Sequence, residues 1–460
     1  MAGIGFRLKK LIADESVSGW LRAHLYGAVV SSGPWLLSVF TLAALSMLAR
    51  EVLRSPALEI FRSTVIYSYT ASLITTGAAH MVVTRYLADT LWLGHAGALV
   101  ATFRWTIGAT ALAHALLAAP FYLLCPDLNA ADRVFGVLLF VVVASTWMAM
   151  IFLGAAQDYA SVVLAFFVGN MGSLGAALLL GHWIGGSGYL AGFLVGQTAI
   201  FFVLAARVER EFPGESSIDA RELLGAFRRY PELVWAGVLY NAAIGVDRVL
   251  FWASPLGWRV GGWFFASTYD APLFFAYVSV VPSLALFLVS IETSFYDRYR
   301  AYYGAVTRHG TLRQVLDAKR AMGVALRDGL RILLLVQAPI TVVGMLVAPW
   351  LADLVGLNHL QVSTLRAALV GAGLHALALF ASIVLLYFDR RRAAVEVAGV
   401  FFGANALLTL ATILLGPAYS GFGYALAALA AGAWGYRRIE QTFDDLEYLT
   451  FASQPMAPGH

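Results

Sequence analysis

Residues 159–206 read YASVVLAFFVGNMGSLGAALLLGHWIGGSGYLAGFLVGQTAIFFVLAA, forty-eight residues without one Asp, Glu, Lys or Arg. An apolar helix crosses a bilayer in about 20 residues. The stretch is therefore too long for one crossing and right for two. In its middle, GHWIGGSG at 181–188 carries the turn chemistry that divides it, so the segment predicts a helical hairpin immersed in lipid. The same holds for 397–436, divided at Gly416-Pro417. Outward from these hairpins, the uncharged stretches 24–49, 63–84, 105–126, 134–157, 271–291, 332–352 and 367–388 each supply one span. A further segment, 232–253, is apolar except for Asp247-Arg248, and brings the expected number to twelve.

The composition agrees. Of the residues 60% are hydrophobic and 13% charged, and the mean hydropathy is +0.75, whereas a soluble domain carries about 25% charged residues. Water-soluble domains are excluded. Lipid-facing strands with open edges would leave backbone groups unpaired, and no segment alternates with period two, so the spans are expected to be helices. A net charge of +4, spread along the chain, argues against nucleic acid as partner. The single cysteine, Cys125, excludes an internal disulfide and a cysteine metal cluster.

Lys and Arg distribute by side. With the N-terminus inside, the inward segments hold 24 of them and the outward segments 6 (Arg50, Arg54, Arg62, Arg133, Arg259 and Arg366), with Arg248 inside a span. The positive-inside rule then predicts both termini in the cytoplasm. Long polar loops occur only on the inward side, at 207–231 and 294–331. The expected organisation is a six-helix bundle at 1–206, a cytoplasmic linker at 207–231, a second six-helix bundle at 232–437 with the inward loop 294–331, and a cytoplasmic tail at 438–460. Leu25-Tyr26-Gly27-Ala28 and Leu239-Tyr240-Asn241-Ala242 hint at an internal repeat, a plan common among transporters. Ile4, Phe6, Leu8, Leu11 and Ile12 against Arg7, Lys9 and Lys10 predict an N-terminal helix lying at the membrane interface.

Charges inside hydrocarbon are costly, so Asp247 and Arg248 are candidates for a polar path, the alternatives being a structural ion pair or snorkelling to the interface. Asn241 lies on the same segment. Asp270 opens the next span within WFFASTYDAPLFFAY (263–277), whose rings suit either the apolar faces of sugars or an aromatic membrane belt. Tyr269 and Asp270 stand out because a belt needs no carboxylate. Gly33 and Pro34, in SSGPWLLS (31–38), predict a break or kink in the first span, either mobile or a static packing bend. Pro282 and Pro339 pose the same choice. His80, His114, Asn170, Gln197, His375, Glu396 and Asn405 are expected to be hydrogen-bond partners between helices more than ligands. Phe295, Tyr296, Tyr299, Tyr302 and Tyr303 alternate with Asp297, Arg298 and Arg300, and predict a helix on the lipid surface or a docking site for a cytosolic protein. Phosphate loops, HExxH and paired aqueous carboxylates are missing, so no catalytic residue, no metal and no cofactor is expected, and an enzyme is disfavoured.

The opening MAGIGF (1–6), SSGPWLLS, ETSFYDRYRAYYGAVTRHGTL (292–312), YFDRRR (387–392) and the closing LEYLTF (446–451) resemble the PelG family, inner-membrane transporters of the Pel exopolysaccharide system. The resemblance spans essentially the whole chain. It implies an all-α membrane protein of the polysaccharide flippase superfamily, about twelve transmembrane helices in two six-helix bundles around a central cavity. It implies export of Pel, a partly deacetylated N-acetyl-hexosamine polymer used in biofilms, from cytoplasm to periplasm. It also implies partners: a cytosolic glycosyltransferase and membrane subunits, one of them a cyclic di-GMP sensor. Only Arg248 is a cation well inside a span, which suits a neutral or mildly cationic amino sugar better than a lipid pyrophosphate. The expected path residues are Asn241, Asp247, Arg248, Tyr269 and Asp270. Two rivals stay open: a cation-coupled flippase or antiporter for lipid-linked oligosaccharide or drug, and a non-conducting membrane scaffold for a glycosyltransferase.

Overall fold

The computed structural model describes residues 17–49, 55–212, 214, 220–260 and 262–452. The N-terminal interfacial helix expected around Ile4 to Ile12 lies outside them. The described chain is helical almost throughout. In order run α1 (Val17–Ala49), α2 (Ser55–Trp92), α3 (Leu99–Leu123), α4 (Ala130–Ala156), α5 (Tyr159–Ile184), α6 (Gly186–Glu211), the short α7 (Ala220–Arg229) and α8 (Pro231–Trp252). After a β-hairpin of β1 (Trp258–Val260) and β2 (Trp263–Phe265) follow α9 (Ser267–Ser279), α10 (Val281–Ser290), a π turn (Ile291–Phe295) and α11 (Tyr296–Thr307). The chain continues through α12 (Leu312–Val355), α13 (His359–Tyr387), α14 (Arg391–Leu415), α15 (Phe422–Asp444) and the tail helix α16 (Leu446–Phe451).

Among the described residues, ten helical stretches are long and apolar enough to cross a membrane, 267–307 counting as one. α2 and α15, at 38 and 23 residues, are also long enough but more polar. The ten together make a multi-pass membrane protein. Leu116, Leu346 and Leu414 are exposed, as lipid-facing positions are.

The turns come from local chemistry. α5 gives way to α6 at Gly185, whose φ of 73° and ψ of −142° suit glycine alone. Asn129 caps α4 by accepting from the Asp132 N–H at 2.8 Å. Asp158 caps α5 and also takes the Arg207 guanidinium of α6. Burial pushes the Asp158 carboxyl up, but Ser161 and Arg207 outweigh it and hold the group below the usual carboxylate range. Thr311 with Gln314, and Asn358 with Gln361, form reciprocal caps on α12 and α13.

The β-hairpin departs from the all-helical expectation. Pro255, Gly257 and Gly262 prevent helix there, and the Trp, Val and Phe between them favour strands, pairing Arg259 with Phe264. The aromatic run at 263–277 is thus part strand and part helix.

The chain divides into two compact units, 1–267 and 268–460. Within unit 1, α8 packs along α2. Close approach is built on glycine. A Cβ on Gly188 would lie 2.1 Å from the Leu180 carbonyl oxygen, one on Gly192 2.2 Å from the Ala177 nitrogen, and one on Gly196 2.4 Å from the Gly169 carbonyl oxygen. These three positions, four apart on α6, hold the α5–α6 hairpin backbone to backbone, the way small residues join helices in lipid. Around the hairpin, Leu45, Phe61, Leu139, Val143 and Phe193 fill the core of unit 1. In unit 2 the same device appears on α15, where a Cβ on Gly423 would lie 2.7 Å from the Thr409 nitrogen of α14.

Candidate functional site

α2 is the polar spine of unit 1. Thr64, Ser68, Ser72 and Thr76 recur every four residues and are all buried, so they share one face. Ser68 shares a 2.7 Å hydrogen bond with the Tyr122 hydroxyl. Ser72 accepts from the Trp147 indole at 3.2 Å. Beside that face, Thr75 meets His114 at 2.9 Å, and Tyr69 donates to Gln197 at 2.7 Å. Gln197 donates in turn to Asn170 at 3.5 Å, and Asn170 to Ser38 of α1 at 3.3 Å. Five helices, α1 and α3 to α6, are thereby tied to α2 directly or through its partners by groups that lipid could not satisfy. In unit 2, His375 shares a bond with Tyr424 at 3.1 Å, Glu396 accepts from Arg438 at 3.0 Å, and Thr409 donates to Asn405 at 3.1 Å within α14. His114, Asn170, Gln197, His375 and Glu396 are therefore interhelical partners, as expected.

α8 lies against α2 where Gly77 faces Gly237, a Cβ on Gly77 lying 2.6 Å from the Gly237 carbonyl oxygen. Asn241 fills this notch, its amide donating to the Gly237 carbonyl at 3.0 Å. Asp247 is 0% exposed and accepts from the Arg248 N–H at 2.9 Å, while Arg248 is half-buried. The two charges thus take different surroundings, as adjacent helical positions about 100° apart must. Asp247 presents no surface to an aqueous path in this state.

One turn further on, α8 ends at a ring-lined pocket of about 450 Å³, bounded by Tyr67, Thr70, Phe121, Trp252 and Phe264 among others. The Tyr67 ring stacks on Trp252 at 4.6 Å and 19°, and lies 4.7 Å from Trp263. Its hydroxyl donates to the Phe264 carbonyl at 2.7 Å and accepts from the Phe264 N–H at 3.2 Å, pinning the β-hairpin to α2. Arg259 reaches Asp127 at 3.4 Å and lies over the Phe264 ring. Ring faces of this kind match the C–H faces of sugars. The sequence points to Trp252, Trp263 and Phe264; it gives no sign of Tyr67 or Phe121, which join them only through the folding of α2 and α3.

Tyr269 and Asp270 belong to unit 2. Tyr269 is 1% exposed, and Asp270 is half-buried in the first turn of α9, where a carboxylate complements the helix dipole. They share a helix turn with each other but lie in a different compact unit from Asn241, Asp247 and Arg248.

Gly33 and Pro34 do not break α1, which runs unbroken from Val17 to Ala49 with Pro34 inside it. Proline removes one backbone hydrogen bond, and a helix packed among neighbours tolerates that loss. The interruption falls at Pro282 instead: α9 ends at Ser279 and α10 starts at Val281. Ser283 there donates to Gln337 of α12. Pro339 sits within an uninterrupted α12.

Of the five rings expected on a lipid-surface helix or a docking face, Phe295 and Tyr302 turn inward. Phe295 is 1% exposed and lies 5.6 Å from Tyr387 and 6.1 Å from Phe388, and Tyr302 is 0% exposed with its hydroxyl 3.2 Å from Thr450. Neither offers surface to a partner, because burying them against α13 and the tail removes more apolar area than leaving them for an occasional visitor. Tyr296, Tyr299 and Tyr303 are half-buried, with Tyr299 4.7 Å from Tyr303. The tail is held by Lys319 and Glu447 as well. Burial raises the Glu447 carboxyl, but the Lys319 ammonium outweighs it and holds the group below its ordinary value.

Glu292 is a buried carboxyl that the sequence does not mark. It is 2% exposed, sits second in the π turn, and accepts from the Tyr387 hydroxyl at 3.0 Å. In sequence it reads as the start of a polar loop. Among the described residues, no group of three or more His, Cys, Asp or Glu could hold a metal ion.

The helix order, the glycine-joined hairpins and the buried polar spine define an all-α, multi-pass membrane fold. The structure is similar to the MATE transporter VcmN of Vibrio cholerae in its bent form, at 13% identity and a TM-score of 0.62 over 94% of this chain and 99% of that one. It is similar to a MOP superfamily transporter from Pyrococcus furiosus at 14% identity and 0.61, over 91% and 96%. It is also similar to the lipid II flippase MurJ in an inward closed conformation at 13% identity and 0.58, over 94% of each. The chain belongs to the PelG family, described as "Putative exopolysaccharide Exporter (EPS-E)", whose model matches residues 1–451. No curated protein matches it significantly.

Proposed function

We propose that the chain exports a Pel-type amino-sugar polysaccharide across the bacterial inner membrane, with both termini in the cytoplasm, and is not an enzyme. The observation that carries this reading is membership of an exopolysaccharide exporter family over residues 1–451, on a fold shared with flippases. The charge distribution supports the substrate class. Arg248 is the lone cation well inside a span by sequence, too few for a pyrophosphate-bearing lipid, whereas Asp270 tolerates a sugar amine. The pocket at Tyr67, Phe121, Trp252 and Phe264 supplies ring faces for one sugar of the chain. Asn241 and Arg248 border the same stretch of α8. The polymer is delivered by a cytosolic glycosyltransferase, with membrane subunits including a cyclic di-GMP sensor, for which Tyr296, Tyr299 and Tyr303 remain the docking candidates.

Phe264→Ala, at an exposed ring of the pocket, and Asp270→Ala are expected each to lower polymer export about tenfold, the loss of one good ring or charge contact, at unchanged protein level in the membrane. Quantifying secreted polymer against membrane-bound protein checks this. Unaltered export in both variants removes these residues from the path. Build-up of a lipid-linked sugar intermediate on deleting the protein favours the lipid-linked flippase reading instead.

A further inference from the structure

Unit 2 carries a groove of about 240 Å³ between α12, α13 and α15, walled by Leu330, Leu334, Leu374, Leu377, Leu429 and Gly432 among others. The rest of its wall is apolar too, apart from Tyr436 at one end. Such a slot offers water no partners. Helices in lipid associate by packing, so an open seam between them loses contacts that hydrocarbon restores. From Ala428 to Ile439 the groove follows α15 for about 16 Å, at about 1.5 Å per residue. A narrow apolar slot of that length suits an extended acyl chain.

The Tyr436 end lies where two spans leave hydrocarbon: the uncharged stretch 397–436 closes there, and Leu330 just precedes the uncharged stretch 332–352. Arginines stand at that end. Arg327 is exposed and lies on the Leu330 side of α12, about 60° round the helix. A Cβ on Gly323, one turn earlier, would lie 3.7 Å from the Arg327 Nη1 and 3.6 Å from the Phe443 ring of α15. The guanidinium therefore runs along the α12–α15 seam beyond the groove, as a snorkelling side chain does. Arg331, also exposed, flanks Leu330, and Arg437 lies over the Trp434 ring. The carboxylates at this level are engaged or turned away. Glu440 accepts from the Tyr436 hydroxyl, Glu396 from Arg438, and Glu447 from Lys319. Asp328, two residues from Leu330, is on the far side of α12. Basic residues between membrane helices at the cytoplasmic surface hold anionic head groups, and the positive-inside rule predicts that this end is the cytoplasmic one.

We propose that the groove binds one anionic phospholipid of the phosphatidylglycerol type, with an acyl chain along α15 and the phosphate at Arg327 and Arg331. The site is independent of what the protein exports. Native mass spectrometry of the full-length protein, released from detergent with phosphatidylglycerol or with phosphatidylcholine of the same chains, tests it. One phosphatidylglycerol per chain is expected, held about thirtyfold more tightly than phosphatidylcholine, the effect of two cations near a head group. Arg327→Gln together with Arg331→Gln is expected to remove that preference, and because both side chains are exposed the fold does not depend on them. Gly432→Leu fills the groove, its Cβ meeting nothing nearer than 3.5 Å, and is expected to cut retention of both lipids about tenfold at an unchanged unfolding midpoint in lipid-free detergent. Equal retention of the two lipids by the unaltered protein, or an unchanged preference in the double variant, overturns the proposal. Full retention in Gly432→Leu also overturns it. A dimer in place of the lipid adduct does so by showing a second copy over the groove, and displacement of the lipid by inorganic phosphate does so by showing that the acyl chain contributes nothing.

Discussion

Gly192→Ile is expected to unfold the α5–α6 hairpin and, with it, most of unit 1. The Cβ of any residue at 192 falls 2.2 Å from the Ala177 nitrogen and 2.3 Å from its Cα. Those are backbone atoms of a helix, so nothing flexible retreats. The helices must part, and in parting they lose the contacts at Gly188 and Gly196 along the same face. Overpacking a core typically costs about 1–3 kcal/mol and occasionally more; with a whole interface opened, a loss of about 3 kcal/mol or more is expected. The readout is the thermal unfolding midpoint and the monodisperse fraction in mild detergent. Gly175→Ala is the control, since its Cβ meets nothing within 4 Å. A Gly192→Ile protein as stable as Gly175→Ala would contradict the packing described.

Phe295→Ala is the second large effect. The ring is 1% exposed and sits among Tyr299, Tyr387 and Phe388. Truncating a buried phenylalanine removes about 3–5 kcal/mol, through lost burial and the cavity left behind. Tyr302→Ala is expected to act alike and also to release Thr450 of the tail helix. A docking residue behaves differently, because its removal lowers partner binding and leaves folding alone. Normal unfolding of Phe295→Ala with loss of a bound glycosyltransferase would restore the surface role that the burial argues against.

Much of this architecture was legible in residue types. The uncharged run at 159–206 and its glycine-rich middle specify a hairpin because lipid tolerates neither charge nor an unsatisfied turn within it, and the break falls at Gly185. The division at Gly416 follows from the same physics. Two further patterns stood in the sequence but needed the contacts to be recognised: glycines four apart at 188, 192 and 196, and small polar residues four apart at 64, 68, 72 and 76 on α2. Both are ordinary letters in an apolar protein until a neighbouring helix is placed against them.

The site was less legible. Hydropathy picks out Asp247 and Arg248 as charges in a span without revealing that Asp247 is fully enclosed. Ring density marks 263–277 yet cannot show that Tyr67, far away in sequence, stacks on Trp252. A helical periodicity in 295–303 puts rings on one face, and whether that face meets lipid, partner or its own chain depends on α13 and α16, which sequence spacing does not locate. Glu292 escapes for another reason. Its environment is set by a π hydrogen-bond register, a backbone property with no compositional mark.

Movement of a polysaccharide across the membrane this chain spans can be observed in a reconstituted system. Sealed vesicles containing the purified protein, together with its polymer-making glycosyltransferase and activated sugar outside, test it most directly. Polymer is expected in the lumen, protected from a glycoside hydrolase added externally, with no protected polymer when the protein is left out. Polymer made in full but wholly degraded by the external hydrolase, with the protein present and folded, would contradict it.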